Sequence, residues 1–507
     1  MSRLVVALGA ACAVASPASA GPLSAALVTA DGGGETPSLV GVLTGPAEPI
    51  ALSELLDRAL RADPTLARIK VDAAIADAAI ARARTWDAWG VGADLDASTR
   101  SGGGFVNRSR AVTLSGDLSR RLPTGGTAGL HVEAGWQDSR TSLGSEAAYT
   151  EAITANLTQP LLRGRGDADV KAAIRAAQLE RDATAVATDA AAQTLVRDVV
   201  LAYFDLVAAE RELAIRKDSL ALARERLRVT DAGIAAGGVA PAERISIEQA
   251  IATRDEEILN GELQVVERAV ALRATANLPI GPGELLLATN VDALDLPART
   301  WDAGALFAAA ERSSPELARL RVLEAGATID VEVSERGVLP SLDLSVALGP
   351  SGTADDPGEA AVNLVTFEDF TAAVALSYRT TWGEVAAKTV ARTARARREQ
   401  VKIDADGVRR QLRAALGRAL IAVTAAERRH ALALRTVALA DKALAAEQAR
   451  LTSGRSRNVD VLARQDELRA AQLRVVRAQI EWHRAATTIA ALTGDLLPEL
   501  GVQVARP

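Results

Sequence analysis

Two hydrophobic periods follow one another along the chain, and the same succession occurs twice. Leu52, Leu55, Leu56, Ala59 and Leu60 recur at helical spacing, and Pro64 opens a second helical stretch that runs to about Trp86. Beyond Trp86 the period falls to two. Val91, Ala93, Leu95 and Ala97 alternate with Gly92, Asp94, Asp96 and Ser98, and Val112, Leu114 and Leu118 with Thr113, Ser115, Asp117 and Ser119. Leu130, Val132, Ala134 and Trp136 alternate with His131, Glu133 and Gln137, and Ile153, Ala155 and Leu157 continue the pattern. These are two-faced strands, each about 9–11 residues long. From Asp167 to Ala235 the helical period returns without interruption until Gly237, and a second helix follows from Glu243 to Ala276.

A second copy starts 251 positions on, where Leu306, Phe307 and Ala310 repeat the first helix and Pro315 matches Pro64. Leu342, Leu344, Val346 and Leu348 form one alternating strand, and Val374, Leu376 and Tyr378 another. The long helix recurs from Glu384 to Thr452, stops at Gly454, and is followed by a helix from Val459 to Leu492. Val199, Leu206, Leu213, Leu220, Leu227 and Ile234 recur at strict sevens. At an offset of 217 stand Leu416, Val423, His430, Val437, Leu444 and Leu451, in the same register. A sustained heptad predicts coiled-coil packing, and each long helix should reach about 100 Å. The returning helices are about half that length, so each is expected to lie end to end with a Pro64 or Pro315 helix beside an unbroken one.

The organisation expected is a segment 1–20, a leader 21–50 rich in Gly and Pro, repeat 1 over 51–280, a linker 281–300, repeat 2 over 301–494 and a tail 495–507. Within the repeats, strands are expected at 90–162 and 341–380, and helical hairpins at 167–276 and 384–492. The first segment has the grammar of a secretory signal: Arg3, an apolar run from Leu4 to Ala15, and Ala18-Ser19-Ala20 before Gly21. Cys12, the one cysteine of the 507 residues, lies inside it. Lipidation there is the alternative to cleavage after Ala20, though Gly9 and the short apolar core argue against it. No later stretch approaches the roughly 20 apolar residues of a membrane helix. The charge of −6, from 58 basic and 64 acidic residues interleaved along the chain, speaks against nucleic acid as a partner.

Strands of this length with one apolar side suit a membrane barrel, although a soluble sandwich shows the same alternation. So few strands cannot enclose an aqueous barrel alone, and open edges in lipid would leave backbone groups unsatisfied, so oligomerisation is implied.

The chain resembles the TolC-type outer-membrane efflux proteins. The features that carry the likeness are the helix starts Ala62-Asp63-Pro64-Thr65-Leu66 and Ser314-Pro315-Glu316-Leu317, the strand end Leu157-Thr158-Gln159-Pro160-Leu161-Leu162, and the two glycine-centred tips. The resemblance implies a mainly α, α+β fold: a homotrimer whose 12-stranded transmembrane β-barrel continues into a 12-helix coiled-coil barrel in the periplasm. It also implies a periplasmic adaptor and an inner-membrane pump as partners, and service as the exit duct of a tripartite efflux or type I secretion system. The competing class is a periplasmic or secreted structural coiled-coil protein. The sequence departs from the family pattern in three places. Pro64 stands 34 positions farther from its long helix than Pro315 does, enough for an added hairpin near 110–137, closed by Pro123-Thr124-Gly125-Gly126, that lies within the barrel or outside it. Arg379 replaces a proline usual at the second strand end, and Gly238, followed by Pro241, replaces an apolar residue at the first tip.

At the second tip, Asp460 matches the family position where acidic side chains ring the periplasmic entrance; bonds from Arg457 or Arg455 across the tip would hold it shut. The plainer alternative has Gly454 ending one helix, Asn458 capping the next, and Asp460 answering its dipole. A second acidic ring usual in the family falls at Ala463 and is lost. Gly237, Gly238, Glu243, Gly454 and Asn458 are candidate adaptor-docking positions. His430 interrupts the heptads and is expected to be a packed or partly wet interface residue, since His131 and His483 stand far off in sequence. Glu256-Glu257 reads as part of a charged helix face. No cofactor, metal motif or enzymatic constellation is evident.

Overall fold

The computed structural model describes residues 48–102, 106–141, 144–281, 287–289, 294–297, 299–367, 369–381, 383 and 385–502. The expected signal segment with Cys12, nearly all of the expected leader, Glu384, much of the expected linker and the end of the expected tail lie outside these.

In repeat 1, β1 (Glu48–Pro49) precedes α1 (Leu52–Ala62) and α2 (Pro64–Arg84). Four strands follow: β2 (Gly90–Ser101), β3 (Val106–Arg121), β4 (Thr127–Thr141) and β5 (Gly144–Pro160). The hairpin α3 (Ala168–Ala235) and α4 (Ala242–Thr275) completes the repeat, and β6 (Leu287–Ala288) pairs parallel to β1. Repeat 2 runs α5 (Ala303–Ser313), α6 (Pro315–Gly337), β7 (Ser341–Ala354), α7 (Pro357–Thr366) and β8 (Asp369–Arg379). Its hairpin is α8 (Val385–Thr452) and α9 (Asn458–Thr493), and α10 (Leu496–Glu499) follows.

The duplication read from the heptads is present in the fold. Helices α3 and α8 are 68 residues each and start 217 positions apart. The helix α2 and the returning α4 both pack along α3, and α6 and α9 both pack along α8, so each broken pair lines one unbroken helix. The ladder points inward. Val199, Leu206, Leu416 and Val423 are fully buried, whereas Leu227 and Leu451, near the distal ends, are half-buried.

The thickest core sits midway along the long helices. There Leu55, Leu56 and Ala59 of α1 lie against Val196, Val199, Tyr203 and Leu206 of α3, with Leu272 of α4 and Leu496. The matching layer of repeat 2 joins Ala310, Leu317, Leu416, Val423, Trp482 and Ile489. Trp301 and Trp482 both donate their indole N–H to Glu427 Oε1, at 3.2 and 3.1 Å. These layers fasten the short helices of both repeats to the middle of the helical body. Burying each large aliphatic side chain contributes about 1.5–3 kcal/mol.

All six long strands form one antiparallel sheet in the order β2-β3-β4-β5-β7-β8. A 12-stranded trimer would need four per chain, so this chain carries two more than the resemblance implies. The turn expected at Pro123–Gly126 closes a hairpin between β3 and β4, and that hairpin is inside the sheet. Strands β4 and β5 hold the same place before α3 that β7 and β8 hold before α8. The added pair is therefore β2 and β3, one strand upstream of the hairpin near 110–137 expected from the sequence, which is β3 and β4. At the strand-to-helix junctions, Gly166 (φ 80°) and Gly383 (φ 77°) stand 217 positions apart. These left-handed glycines turn the chain in both copies, so the second junction forms with Arg379 in place of proline.

Candidate channel surfaces and distal entrance

The register places the apolar members of all six strands on one side. Val91 and Leu95 face Leu118 and Leu114; Leu118 faces Leu130; Val132 faces Ile153; Leu157 faces Val346; Val346 faces Val374. This face is bare: Val91 is 81% and Val374 72% exposed. An uncovered apolar sheet face of this extent is far beyond what a protein leaves to water. Aromatic side chains frame it, with Tyr378 at one end and Phe370, eight positions along the same strand, at the other. That spacing is about 26 Å along the strand, close to the apolar band of membrane barrels. The opposite face carries Asp94, Asp96, Asp117, His131 and Glu133, and His131 Nδ1 lies 2.8 Å from Asp117 Oδ1.

At the other end of the long helices, the two tips are built alike. Gly237 (φ 76°) and Gly454 (φ 73°) terminate α3 and α8 in the left-handed conformation. Gly238 N–H donates to the Gly233 carbonyl at 3.0 Å, and Arg455 N–H to the Arg450 carbonyl at 2.9 Å, so paired closing bonds satisfy both helix ends. Gly237, Gly238, Gly454, Arg455, Arg457 and Asp460 are exposed, whereas Asn458 is buried and Glu243 half-buried. The helix cap is Arg457, not Asn458. Asp460 accepts from the Arg457 backbone N–H at 3.2 Å and from Ser456 Oγ at 3.4 Å, which leaves Asn458 as the first helical residue. The early closure at Gly454 sets where the chain re-enters helix, and this outweighs the residue preference for Asn at the cap.

Among the described residues, neither the Arg455 nor the Arg457 guanidinium forms an ion pair. Links between the two hairpins run through other residues. Asn458 N–H donates to Glu243 Oε2 at 3.3 Å, joining tip to tip. Two to three turns above, Arg254 of α4, only 3% exposed, pairs with Asp466 of α9 at 3.0 Å. Arg469 of α9 reaches back to Glu257 of α4 and lies 3.5 Å from Asp466. Burial, with Arg254 and Arg216 beside it, pulls the Arg469 guanidinium below its ordinary pKa. Arg254 Nη1 has no hydrogen-bond partner, so Asp466 is its principal compensation. Glu257, on the charged helix face expected for it, is thus also part of a cross-hairpin lattice. Its partner lies 212 positions away, and no local pattern signals the pairing.

His430 is half-buried and lines the same open cavity as Arg211 and Asp218. His483 is buried, with Nε2 3.1 Å from the Leu294 carbonyl and its ring stacked on Phe204 at 4.1 Å; burial lowers its pKa below 6.5. Among the described residues no His, Cys, Asp or Glu cluster is arranged to hold a metal ion.

The family model described as outer membrane efflux protein matches residues 127–278 and 306–495. The chain belongs to that family. It is accordingly an outer-membrane protein whose helical body lies in the periplasm, and the bare apolar sheet face is the side turned to lipid. No curated protein matches it by sequence. Among solved structures it is similar to the outer-membrane protein VceC of Vibrio cholerae, at 16% identity and TM-score 0.61 over 88% of this chain and 96% of that one. The outer-membrane channel OprN is similar at 16% identity and TM-score 0.64, over 88% and 90%. The Campylobacter jejuni CmeC outer-membrane channel matches at 14% identity and TM-score 0.60, over 92% and 94%. The family match begins at Thr127, the first residue of β4, and leaves β2 and β3 outside it.

Proposed function

We propose that three copies of this chain form the exit duct of a tripartite efflux or type I secretion system, a passive conduit opened and closed at its periplasmic tips. The observation that carries this reading is the pairing of a lipid-facing sheet with a helical body about 100 Å long, ending in two exposed, glycine-closed tips. The sheet has two free edges, which lipid does not tolerate, and closed symmetry with neighbouring copies satisfies them. A structural coiled-coil protein in solution would have to hide the apolar face, and none of the described residues covers it.

In this reading the entrance is shut when the α8–α9 hairpin is held against α3–α4. Asp466–Arg254 and Glu257–Arg469 act as the holding pairs, and the Glu243 bond to Asn458 joins the tips. Asp460, brought near the axis in three copies, repels its equivalents and favours cations over anions. It does so while accepting from Arg457 N–H, so gate and cap roles are compatible. The exposed Gly237, Gly238, Gly454, Arg455 and Arg457 offer the docking surface for a periplasmic adaptor, which in turn engages an inner-membrane pump. Asn458 supports that surface from beneath, and Glu243 supports it from the side.

The reading is tested by placing a photo-cross-linking residue at Arg455 in the native host. Covalent capture of a periplasmic adaptor from a heat-modifiable trimer in the outer-membrane fraction is the expected result. A monomer found only in the soluble fraction would refute it.

A further inference from the structure

The added strands bear on the size of the barrel. Strand β2 is bonded along its whole length to β3, and β3 to β4, so the hairpin absent from the family match is continuous with the rest of the sheet. Its base is fixed on both sides. Arg120 of β3 donates to the Asp87 carbonyl at 2.9 Å and to Asp87 Oδ2 at 2.8 Å, and its guanidinium lies over the Trp89 ring at 5.5 Å. The β3–β4 turn is clasped to the junction where β5 becomes α3. Gly166 N–H donates to the Thr124 carbonyl at 2.7 Å, Gln159 Nε2 to the same oxygen at 2.9 Å, and Thr124 Oγ to Gln159 Oε1 at 2.6 Å. A side chain at Gly125 would run into the Gly164 carbonyl oxygen.

The two faces of the hairpin agree with the rest of the sheet. Val91, Leu95, Leu114 and Leu118 extend the lipid side, while Asp94, Asp96 and Asp117 extend the opposite side. Peeling β2 and β3 off β4 would expose unpaired backbone and leave carboxylates in lipid, each costly. The free edges are therefore β2, with 12 residues, and β8, with 11. Six strands in a meander make these edges antiparallel, so β8 of one copy can continue into β2 of the next.

We infer that three chains close a single 18-stranded barrel, six strands from each, in which β2 of one copy pairs with β8 of its neighbour and the added hairpin lines the lumen with carboxylates. This rests on the trimeric channel reading above. At a strand spacing of about 4.8 Å and a tilt of about 40°, 18 strands give a backbone radius of about 18 Å, against about 12 Å for 12 strands. A ring of 12 helices at interaxial distances of 8–10 Å has a radius of about 15–19 Å. The outer mouth is thus as wide as the tunnel below it, and the size limit on cargo falls to the periplasmic tips.

Cysteine cross-linking tests the closure in a Cys12→Ser background. Leu95→Cys in β2 is combined in turn with Ala372→Cys, Val374→Cys and Leu376→Cys in β8. Val132→Cys in β4 is combined with the same three. Oxidation of the outer-membrane trimer is expected to give covalent dimers and trimers with at least one Leu95 pair and with none of the Val132 pairs. In the proposed barrel β4 lies three strands from the neighbour's β8, about 14 Å, beyond the reach of a disulfide. Products from the Val132 pairs would show that β4 is the edge, overturning the 18-strand closure while leaving the trimeric channel intact. A trimer that cross-links at neither edge, with an intrachain Val132→Cys, Ile153→Cys control that oxidises, also overturns it. Failure to find any trimer removes the channel reading itself.

Discussion

Removing the carboxylate of Asp466 is the most informative perturbation of the entrance. Arg254 is 3% exposed and Asp466 51%, with 3.0 Å between them. Unpairing a fully buried charge costs about 3–5 kcal/mol. Because Asp466 is half in water, part of that cost is relieved by solvent entering its place, and about 2 kcal/mol per chain is a reasonable expectation. If the three copies open together, the closed state loses about 6 kcal/mol relative to the open one, roughly a ten-thousandfold shift in their ratio at about 1.4 kcal/mol per factor of ten. Single-channel recording in planar bilayers reads this directly. Asp466→Ala should convert brief, rare openings into sustained conductance. Arg254→Met together with Asp466→Ala removes both the charge and its partner, leaves no buried cation to hydrate, and should open less than Asp466→Ala alone. Asp466→Ala trimers that insert normally and gate like the parent would refute the assignment of this pair as a holding link.

Other outcomes follow from the same structure. Val374→Arg, on the lipid face of β8, should cost about 2–4 kcal/mol near the midplane and deplete the outer-membrane trimer on heat-modifiability gels; Ala375→Arg, facing the lumen, should leave it assembled. Gly454→Ala places a side chain at φ 73° and should destabilise the second tip by about 1 kcal/mol, seen as faster amide exchange at Arg455, with exchange at Leu416 unchanged. Burial holds the folded His483 pKa below 6.5, so the unfolded chain binds the proton first as pH falls. That contribution to stability is complete above about pH 6.5 and is lost as pH drops through the folded value; the melting temperature should fall between pH 7.5 and 5.5 by less in His483→Gln than in the parent. Asp460→Ala should weaken cation selectivity in asymmetric salt and, by removing the acceptor for Arg457 N–H, loosen the start of α9 by about 1 kcal/mol.

The helical half of the architecture was legible because its signal is local and repeated. A heptad sustained from Val199 to Ile234 and again from Leu416 to Leu451 fixes both helices and their equivalence. Glycine at 237 and 454 marks both ends, since few other residues adopt the left-handed turn that closes them. The strands were legible as two-faced segments, yet their pairing was not. Whether β3 joins β4 depends on contacts that alternation alone does not specify, and both placements of the added hairpin satisfy the pattern; the β3–β4 register decides between them. The entrance was legible least. Asp460 stands out in the sequence as a candidate by its match to a family position, but Arg254, Glu257, Asp466 and Arg469 stand among many charged helix positions. What sets them apart is pairing across two hairpins far apart in the chain, around the buried Arg254. The cap position failed for a related reason: Asn458 has the better capping side chain, but the backbone path out of Gly454 puts Arg457 there.

The central claim, a gated duct, is met most directly by conductance of the purified outer-membrane protein in planar bilayers. The expected record is a low-conductance trimer whose current rises in Asp466→Ala and is carried preferentially by cations. Trimers that insert into the bilayer and carry no current, with Asp466 intact or replaced, would contradict it.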